Sequence, residues 1–331
     1  MLMIISGSFF FRIYPRSEIH RYQLSGFAQG TSWSLIYYAS DSSIHQREVD
    51  SILISLDSSL SIYKPYSEIS RFNKSGKGIL LGTHLNNVVK KSLDTYQKSG
   101  GLFDITVQPL VEAWGFSAKK ILSLPDSSQI KGLLGCVGSQ RIAIQGRYLK
   151  KEKACVKIDV DGIAQGYSVD VISNFIESKK IMNYLVELGG EIRVKGRKVP
   201  GTEKMKIGIE APGDYDMNPT VVQKIIYADE GGITTSGSFR KYFESEGKKF
   251  SHNIDPKTGF PTQNEVISVT VYAPDAITAD AYDNVFMAMG IKKSFQFLEK
   301  RKDLAAYFIY RNEKGGISDT ASDGFNKLFQ P

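Results

Sequence analysis

The sequence predicts an α+β fold on a largely antiparallel sheet, and three observations carry that expectation. Short runs rich in β-branched and aromatic residues recur at 32–38, 184–188, 266–273 and 304–310. Between some of them apolar residues fall at helical spacing, as at Val49, Ile52, Leu53, Leu56 and Leu60. The two kinds of element do not alternate in a regular βαβ pattern, and no internal repeat is visible. With 331 residues, 41% hydrophobic and 23% charged, the chain has the composition of an ordinary globular protein with a large core.

Residues 1–14 are apolar and aromatic but lack the lysines of a signal n-region and a small-residue cleavage site. They are too short for a membrane span. The remnant of an export signal or anchor and a locally buried strand are both open readings. We divide the chain into this N-terminal segment, 1–21, and a single catalytic domain, 22–325, whose body is expected to be soluble.

The strand at 32–38 follows Ala28-Gln29-Gly30-Thr31, where Gly30 permits close backbone approach. The helix through Leu60 ends before Tyr63-Lys64-Pro65, and 67–73 reads as polar and turn-like. Thr83 reads as the N-cap of a helix carrying Leu85, Val88, Val89, Leu93 and Tyr96, which stops at Gly100-Gly101. Trp114 reads as core, and 117–150 as an insertion with weak patterning. A short strand at 156–160 leads through Asp161-Gly162 into a helix, an arrangement that can hold a phosphate or a metal-bound diphosphate. Gly189-Gly190 reads as a bulge or tight turn between strands, and 205–210 as another strand. The segment 231–238 is rich in glycine and hydroxyls but lacks the Gly-Lys-Ser/Thr of a phosphate loop. A helix follows from about Thr278 to Met289.

The net charge of +7 favours an anionic ligand. Its densest basic cluster, Lys195, Arg197, Lys198, Lys204 and Lys206, has no interleaved aromatics, so it reads as a solvated inter-strand loop and not as a nucleic-acid surface. The two cysteines, Cys136 and Cys155, match no zinc spacing, and a disulfide between them is allowed but not forced.

The chemistry concentrates late in the chain. In 249–261, two prolines and a glycine lie within six residues, which forbids regular structure and predicts a tight loop holding His252. On the following helix Asp280 and Asn284 are spaced i, i+4 and share one face. A histidine loop beside paired oxygen donors suggests metal-assisted chemistry on an anionic substrate. Taken singly, His252 could be a hydrogen-bonded loop residue and Asp280 a first-turn acid complementing the helix dipole.

An ordered set of segments resembles the ApbE family of flavin transferases (FAD:protein FMN transferases): Gln29-Gly30-Thr31, Tyr63 with 67–73, Gly101-Leu102-Phe103-Asp104 with Pro109-Leu110, 159–166, Gly189-Gly190-Glu191, Thr235-Ser236-Gly237, 252–261, and 278–284 with Gly290. The most specific part is His-x-x-Asp-Pro-x-Thr-Gly followed by Ala-Asp-Ala. The resemblance implies one α+β domain, related to the T-fold, with FAD in a deep cleft. It implies that Gln29, Tyr63, Leu102, Phe103, Asp104, Asp159, Gln165 and Ile254 line the FAD site. It further implies that the Gly162 carbonyl and the side chains of Asp280 and Asn284 bind Mg²⁺, and that His252 stands near the reacting phosphate.

This chain departs from the family in having Gln29 where Met is frequent, Gln165 where Lys or Glu is frequent, and Asn284 where Thr is usual. Asp283 is the alternative ligand beside Asn284, and is otherwise expected behind the metal site or in solvent. The implied activity is Mg²⁺-dependent transfer of FMN from FAD to a Ser or Thr hydroxyl of an acceptor flavoprotein, with release of AMP. The alternatives are an FAD pyrophosphatase and a non-catalytic FAD-binding envelope protein. The implied setting is the bacterial cell envelope, on the periplasmic side or exported, with an N-terminal membrane tether and with a subunit of a membrane redox complex as acceptor.

Overall fold

The structure, a computed structural model, describes residues 18–117, 123–213, 221–237, 242–245, 248–251 and 253–331. In chain order the elements are β1 His20–Ala28, β2 Thr31–Ala39, α1 Gln46–Leu60, α2 Glu68–Lys74, β3 Gly78–Leu80, α3 Thr83–Lys98, α4 Gln108–Ala113, α5 Ser127–Leu134, β4 Ile142–Gln145 and β5 Tyr148–Lys151. They continue with α6 Asp161–Ser178, β6 Tyr184–Leu188, β7 Glu191–Lys195, β8 Met205–Glu210, β9 Val222–Ala228, β10 Glu230–Gly237, β11 Tyr242–Ser245 and β12 Lys248–Ser251. The last are β13 Val266–Ala273, α7 Ala276–Met289, α8 Ile291–Lys300, β14 Ala305–Arg311, β15 Ile317–Ala321 and α9 Asp323–Asn326.

The frame is an eight-stranded sheet in the order β1-β2-β6-β7-β10-β13-β14-β15. Every pairing in it is antiparallel, as the sequence predicts. Side chains alternate across it with the period of two that a strand imposes. Trp33, Leu35 and Tyr37 of β2 join one core, while Ile36 and Tyr38 join another. The first core is closed by α1, α3, α6 and α7 through residues such as Leu53, Val88, Ile172 and Phe286. The second is closed by the β8–β9 hairpin and α9 through Ile207, Ile226 and Phe325. Burial on both faces explains why β14 reads as a continuous apolar run and not as an alternating one.

Helix α7 is wedged between α6 and β10. A Cβ on Gly166 of α6 would lie 2.4 Å from the Ala276 carbonyl oxygen, and a Cβ on Gly232 of β10 would lie 2.4 Å from the Ala276 nitrogen. Only glycine lets both backbones approach so closely. Asp170 of α6 caps the start of α7, accepting from the Ala276 and Ile277 N–H groups at 3.0 and 2.8 Å, and pairs with Arg193 at 2.7 Å.

A smaller cluster of Leu110, Trp114, Ile130 and Val137 is built by α4 and α5, beside the three-stranded sheet β3-β5-β4. A Cys136–Cys155 disulfide ties this region to the segment leading into α6. Among the described residues no helix is long and apolar enough to cross a membrane.

The structure departs from the sequence reading in several places. Residues 68–74 form a helix and not a turn, because Ser67 caps it by accepting from the Ser70 N–H. Gly82 is the N-cap of α3, so Thr83 is its first residue. The insertion 117–150 contains α5, β4 and β5, and α5 is closed by an Asp126/Gln129 capping box. Residues 156–160 form no strand; Asn73 holds Ile158 instead, donating to its carbonyl and accepting from its N–H. The sequence reading names no strand at β1, β9 or β15 and no helix at α8. Trp114 is buried as core, and 196–204 is the inter-strand loop expected of the basic cluster.

Candidate active site

The site is built where α6 starts against α7. Gly162, in the first turn of α6, leaves helical geometry with φ −82° and ψ 19°. In an unbroken helix the Gly166 N–H would close onto the Gly162 carbonyl. Here it donates to Asp280 Oδ2 at 2.8 Å. The Gly162 carbonyl is met by Asn284 Nδ2 at 3.3 Å. The three residues expected to ligate a metal are therefore brought together, at the point where both glycines allow α6 and α7 to touch.

Asn284 Nδ2 also donates to the Asp280 carbonyl at 2.9 Å and to Asp283 Oδ1 at 2.8 Å. A half-turn of the amide exchanges Nδ2 for Oδ1 and presents an oxygen at the same place. Asp283 is not solvated: it is buried, and it accepts from Thr234 Oγ1 of β10 at 2.7 Å while holding the Asn284 amide.

Burial pushes the Asp280 carboxyl up to about 7; the Gly166 N–H opposes this, and the charges of Asp161 and Asp170 add to it. Asp283 is raised well above the usual carboxylate range by burial and then by Asp280, with Thr234 opposing. Of the cations near α7, Arg193 is paired with Asp170 and Lys91 with Asp275 and Thr278. Burial favours the protonated form of both acids, and a cation bound beside them would favour the ionised form. Among the described residues no group of three His, Cys, Asp or Glu is placed to hold a metal ion. One carboxylate with carbonyl oxygens suits a hard cation that keeps several waters.

Four of the expected FAD-lining residues, Asp159, Tyr63, Gln29 and Gln165, lie near the start of α6. The Asp159 N–H donates to the Ile105 carbonyl at 2.7 Å, and its Oδ1 accepts from the Asp161 N–H at 2.8 Å, so it fixes the entry to α6. Tyr63 is exposed as a residue, while partial desolvation of its hydroxyl and the nearby charges of Asp161 and Asp159 raise its pKa. Gln29 sits in the β1–β2 turn at φ 51°, a left-handed position that glycine or Asn ordinarily fills, and its Nε2 donates to Ser168 Oγ at 2.9 Å. Gln165 lies beneath the β6–β7 turn, its Nε2 2.9 Å from where a Gly189 Cβ would stand. The two hairpin turns thus arrive one helical turn apart on α6.

Leu102 is half-buried and Phe103 belongs to the main core. Asp104 is buried with both oxygens engaged, accepting from the N–H and hydroxyl of Thr106 and of Ser139. Ile254 is placed on the α4–α5 cluster and not on α6. His252 lies outside the described residues. The turn that follows it is as tight as expected: Gly259 N–H donates to Asp255 O at 2.8 Å, and Trp114 Nε1 pins the turn by donating to Gly259 O at 2.8 Å.

Sequence reasoning gave no role to Gly166, Asn73, Asp170, Thr234 or Ser139. Asp170 alone carried a readable signal, an acid in an otherwise apolar stretch of helix.

The fold and this crossing define a class of protein: an antiparallel α+β scaffold with an oxygen-donor site between two helices. The chain belongs to the ApbE family, whose model matches residues 29–308. It is similar to the FAD:protein FMN transferase of Vibrio cholerae serotype O1, with 34% identity over 318 residues covering 94% of this chain and 92% of the relative. It is also similar to the FAD:protein FMN transferase of Haemophilus influenzae, with 34% identity over 322 residues, 92% of this chain and 90% of the relative. The solved flavin transferase ApbE from Vibrio cholerae superposes with a TM-score of 0.83 at 31% identity, covering 94% of this chain and all (100%) of that one. The apo form of Pseudomonas stutzeri flavinyl transferase ApbE gives 0.83 at 30% identity, with 95% and 98% covered.

Proposed function

We propose that this protein transfers FMN from FAD to a Ser or Thr hydroxyl of an acceptor protein in a Mg²⁺-dependent reaction that releases AMP. The observation that carries this reading is the convergence of the Gly162 carbonyl, Asp280 and Asn284 at the α6–α7 crossing, in a chain whose relatives bear that activity's name. Gly162, Asp280 and Asn284 hold the Mg²⁺, which when bound neutralises charge on the pyrophosphate oxygens. Gln29, Tyr63, Leu102, Phe103, Asp104, Asp159, Gln165 and Ile254 form the FAD cleft. Asp104 does so by fixing the backbone of its own loop.

His252 accepts the proton of the attacking hydroxyl. The acceptor oxygen bonds to the FMN-side phosphorus, the bond from that phosphorus to the bridging oxygen breaks, and that oxygen leaves with AMP. The acceptor keeps FMN as a phosphoester.

The working compartment we assign is the bacterial envelope, outside the cytoplasm, with residues 1–14 as tether and a membrane redox subunit or another exported flavoprotein as acceptor. The apolar composition of 1–14 and the pairing of both cysteines in one disulfide support this, since such bonds persist in oxidising compartments. AMP release from FAD, followed with and without Mg²⁺ and with and without a hydroxyl-bearing acceptor domain, tests the proposal. Release that ignores Mg²⁺ would sink the metal assignment, and intact FAD under every condition would favour a binding protein.

A further inference from the structure

The Cys136–Cys155 disulfide lies away from the α6–α7 crossing, yet each of its ends leads within a few residues into the backbone that frames the FAD cleft. Beyond Cys136, the Gly138 N–H donates to Thr106 Oγ1 at 2.6 Å. Ser139 gives Asp104 both its N–H, at 3.0 Å, and its hydroxyl, at 2.7 Å. Beyond Cys155, the Val156 carbonyl accepts from Lys151 Nζ at 2.8 Å, Asn73 clamps Ile158, and the Asp159 N–H donates to Ile105 O at 2.7 Å. These bonds close a ring from Cys136 through Ser139, Asp104, Ile105 and Asp159 back to Cys155. The two segments flank the β4–β5 hairpin, and the disulfide is the covalent cross-link that closes its open end beyond the Glu152 N–H to Arg141 O bond.

We infer that the Cys136–Cys155 disulfide is a positioning element of the FAD cleft, so that its state and FAD occupancy are thermodynamically coupled. The inference rests on the proposed function only in taking Asp104 and Asp159 as part of the FAD site. Cleavage by a dithiol reductant moves two electrons and two protons onto the pair: two thiols form here and the reductant closes to its own disulfide. The 136–139 and 155–159 segments are then joined only through the β4–β5 hairpin and the Arg141–Glu152 pair at its open end, and the Asp104 and Asp159 loops lose their covalent cross-link. FAD must reorder them on binding, which weakens its affinity. By reciprocity, bound FAD makes the disulfide harder to reduce by the same factor.

The test equilibrates the full-length protein in dithiothreitol redox buffers of graded potential, in EDTA, with and without saturating FAD, and reads the disulfide fraction by thiol trapping. A coupling of about tenfold is expected, which for this two-electron couple lowers the midpoint by about 30 mV when FAD is present. Superimposable curves, with FAD bound to the oxidised protein, overturn the inference and leave the proposed function standing. Failure of the oxidised protein to bind FAD overturns both. As a second arm, the Cys136→Ser/Cys155→Ser double variant, shown by circular dichroism to keep its fold, should bind FAD about tenfold more weakly. Unchanged FAD affinity in that variant means that the bond serves stability alone.

Discussion

Asp280 accepts a hydrogen bond from the backbone N–H of Gly166, a group that a regular helix would commit to its own Gly162 carbonyl. One contact therefore does two things: it anchors the carboxylate and it loosens the turn that bears a second oxygen donor. Asp280→Ala should nearly abolish turnover while FAD still binds, because it removes the charged ligand and leaves the lining residues in place. Activity assays with FAD titration by flavin fluorescence check this; full activity with an unchanged Mg²⁺ requirement would mean that α7 is not the metal helix.

Gly166→Ala should be more disruptive than its size suggests. The new methyl would stand 2.4 Å from the Ala276 carbonyl oxygen and 2.7 Å from Asp280 Cβ. Relief requires α6 and α7 to part, at a cost of about 1–3 kcal/mol. Denaturant unfolding should show that loss, and the Mg²⁺ requirement should rise with it. A stable variant with normal metal dependence would show that the close crossing is not needed.

Asn284→Ala should raise the Mg²⁺ concentration for half-maximal activity about tenfold without abolishing activity at saturation. Asn284→Thr should be tolerated, since a hydroxyl oxygen can stand where the amide does. Metal titrations of both variants decide this, and an inactive Asn284→Thr would contradict it.

Metal-free protein should lose stability as pH rises from about 4 to about 7. Asp280 titrates at about 7 when folded against 3.8 for the free side chain, so in that window the folded state holds a proton that the unfolded state has released. Asp283, also raised by burial and then by Asp280, works in the same direction. Because the cation binds the ionised form, stabilisation by Mg²⁺ should grow across the same range. Thermal unfolding with and without Mg²⁺ at pH 5.5 and pH 8 reads both trends. A Mg²⁺-induced rise in Tm that is equal at the two pH values would contradict them.

How much of this was legible in the sequence follows from the range of the physics involved. The i, i+4 spacing of Asp280 and Asn284 and the proline-bound turn are local, and both stand as read. The antiparallel sheet was visible because its central strands carry long β-branched runs. Strand β1 was missed because His20–Ala28 faces solvent along much of its length and has no strong apolar pattern. Helix α2 was missed because a polar segment was read by composition, while its Ser67 cap was overlooked. The Asn73 clamp on Ile158 and the Ser139 bonds to Asp104 join residues far apart in the chain, and no local pattern encodes such partners. The partners of Asp104 show the same limit: its bond from Ser139 crosses 35 positions of the chain.

The central claim is that the reaction ends with FMN on a protein hydroxyl and not on water. It is tested most directly by mass spectrometry of an acceptor domain after incubation with this protein, FAD and Mg²⁺, with AMP quantified in the same tube. The account predicts acceptor carrying one FMN on a Ser or Thr, in amounts equal to the AMP released and absent in EDTA. Equal AMP and free FMN, with an unmodified acceptor, would contradict it.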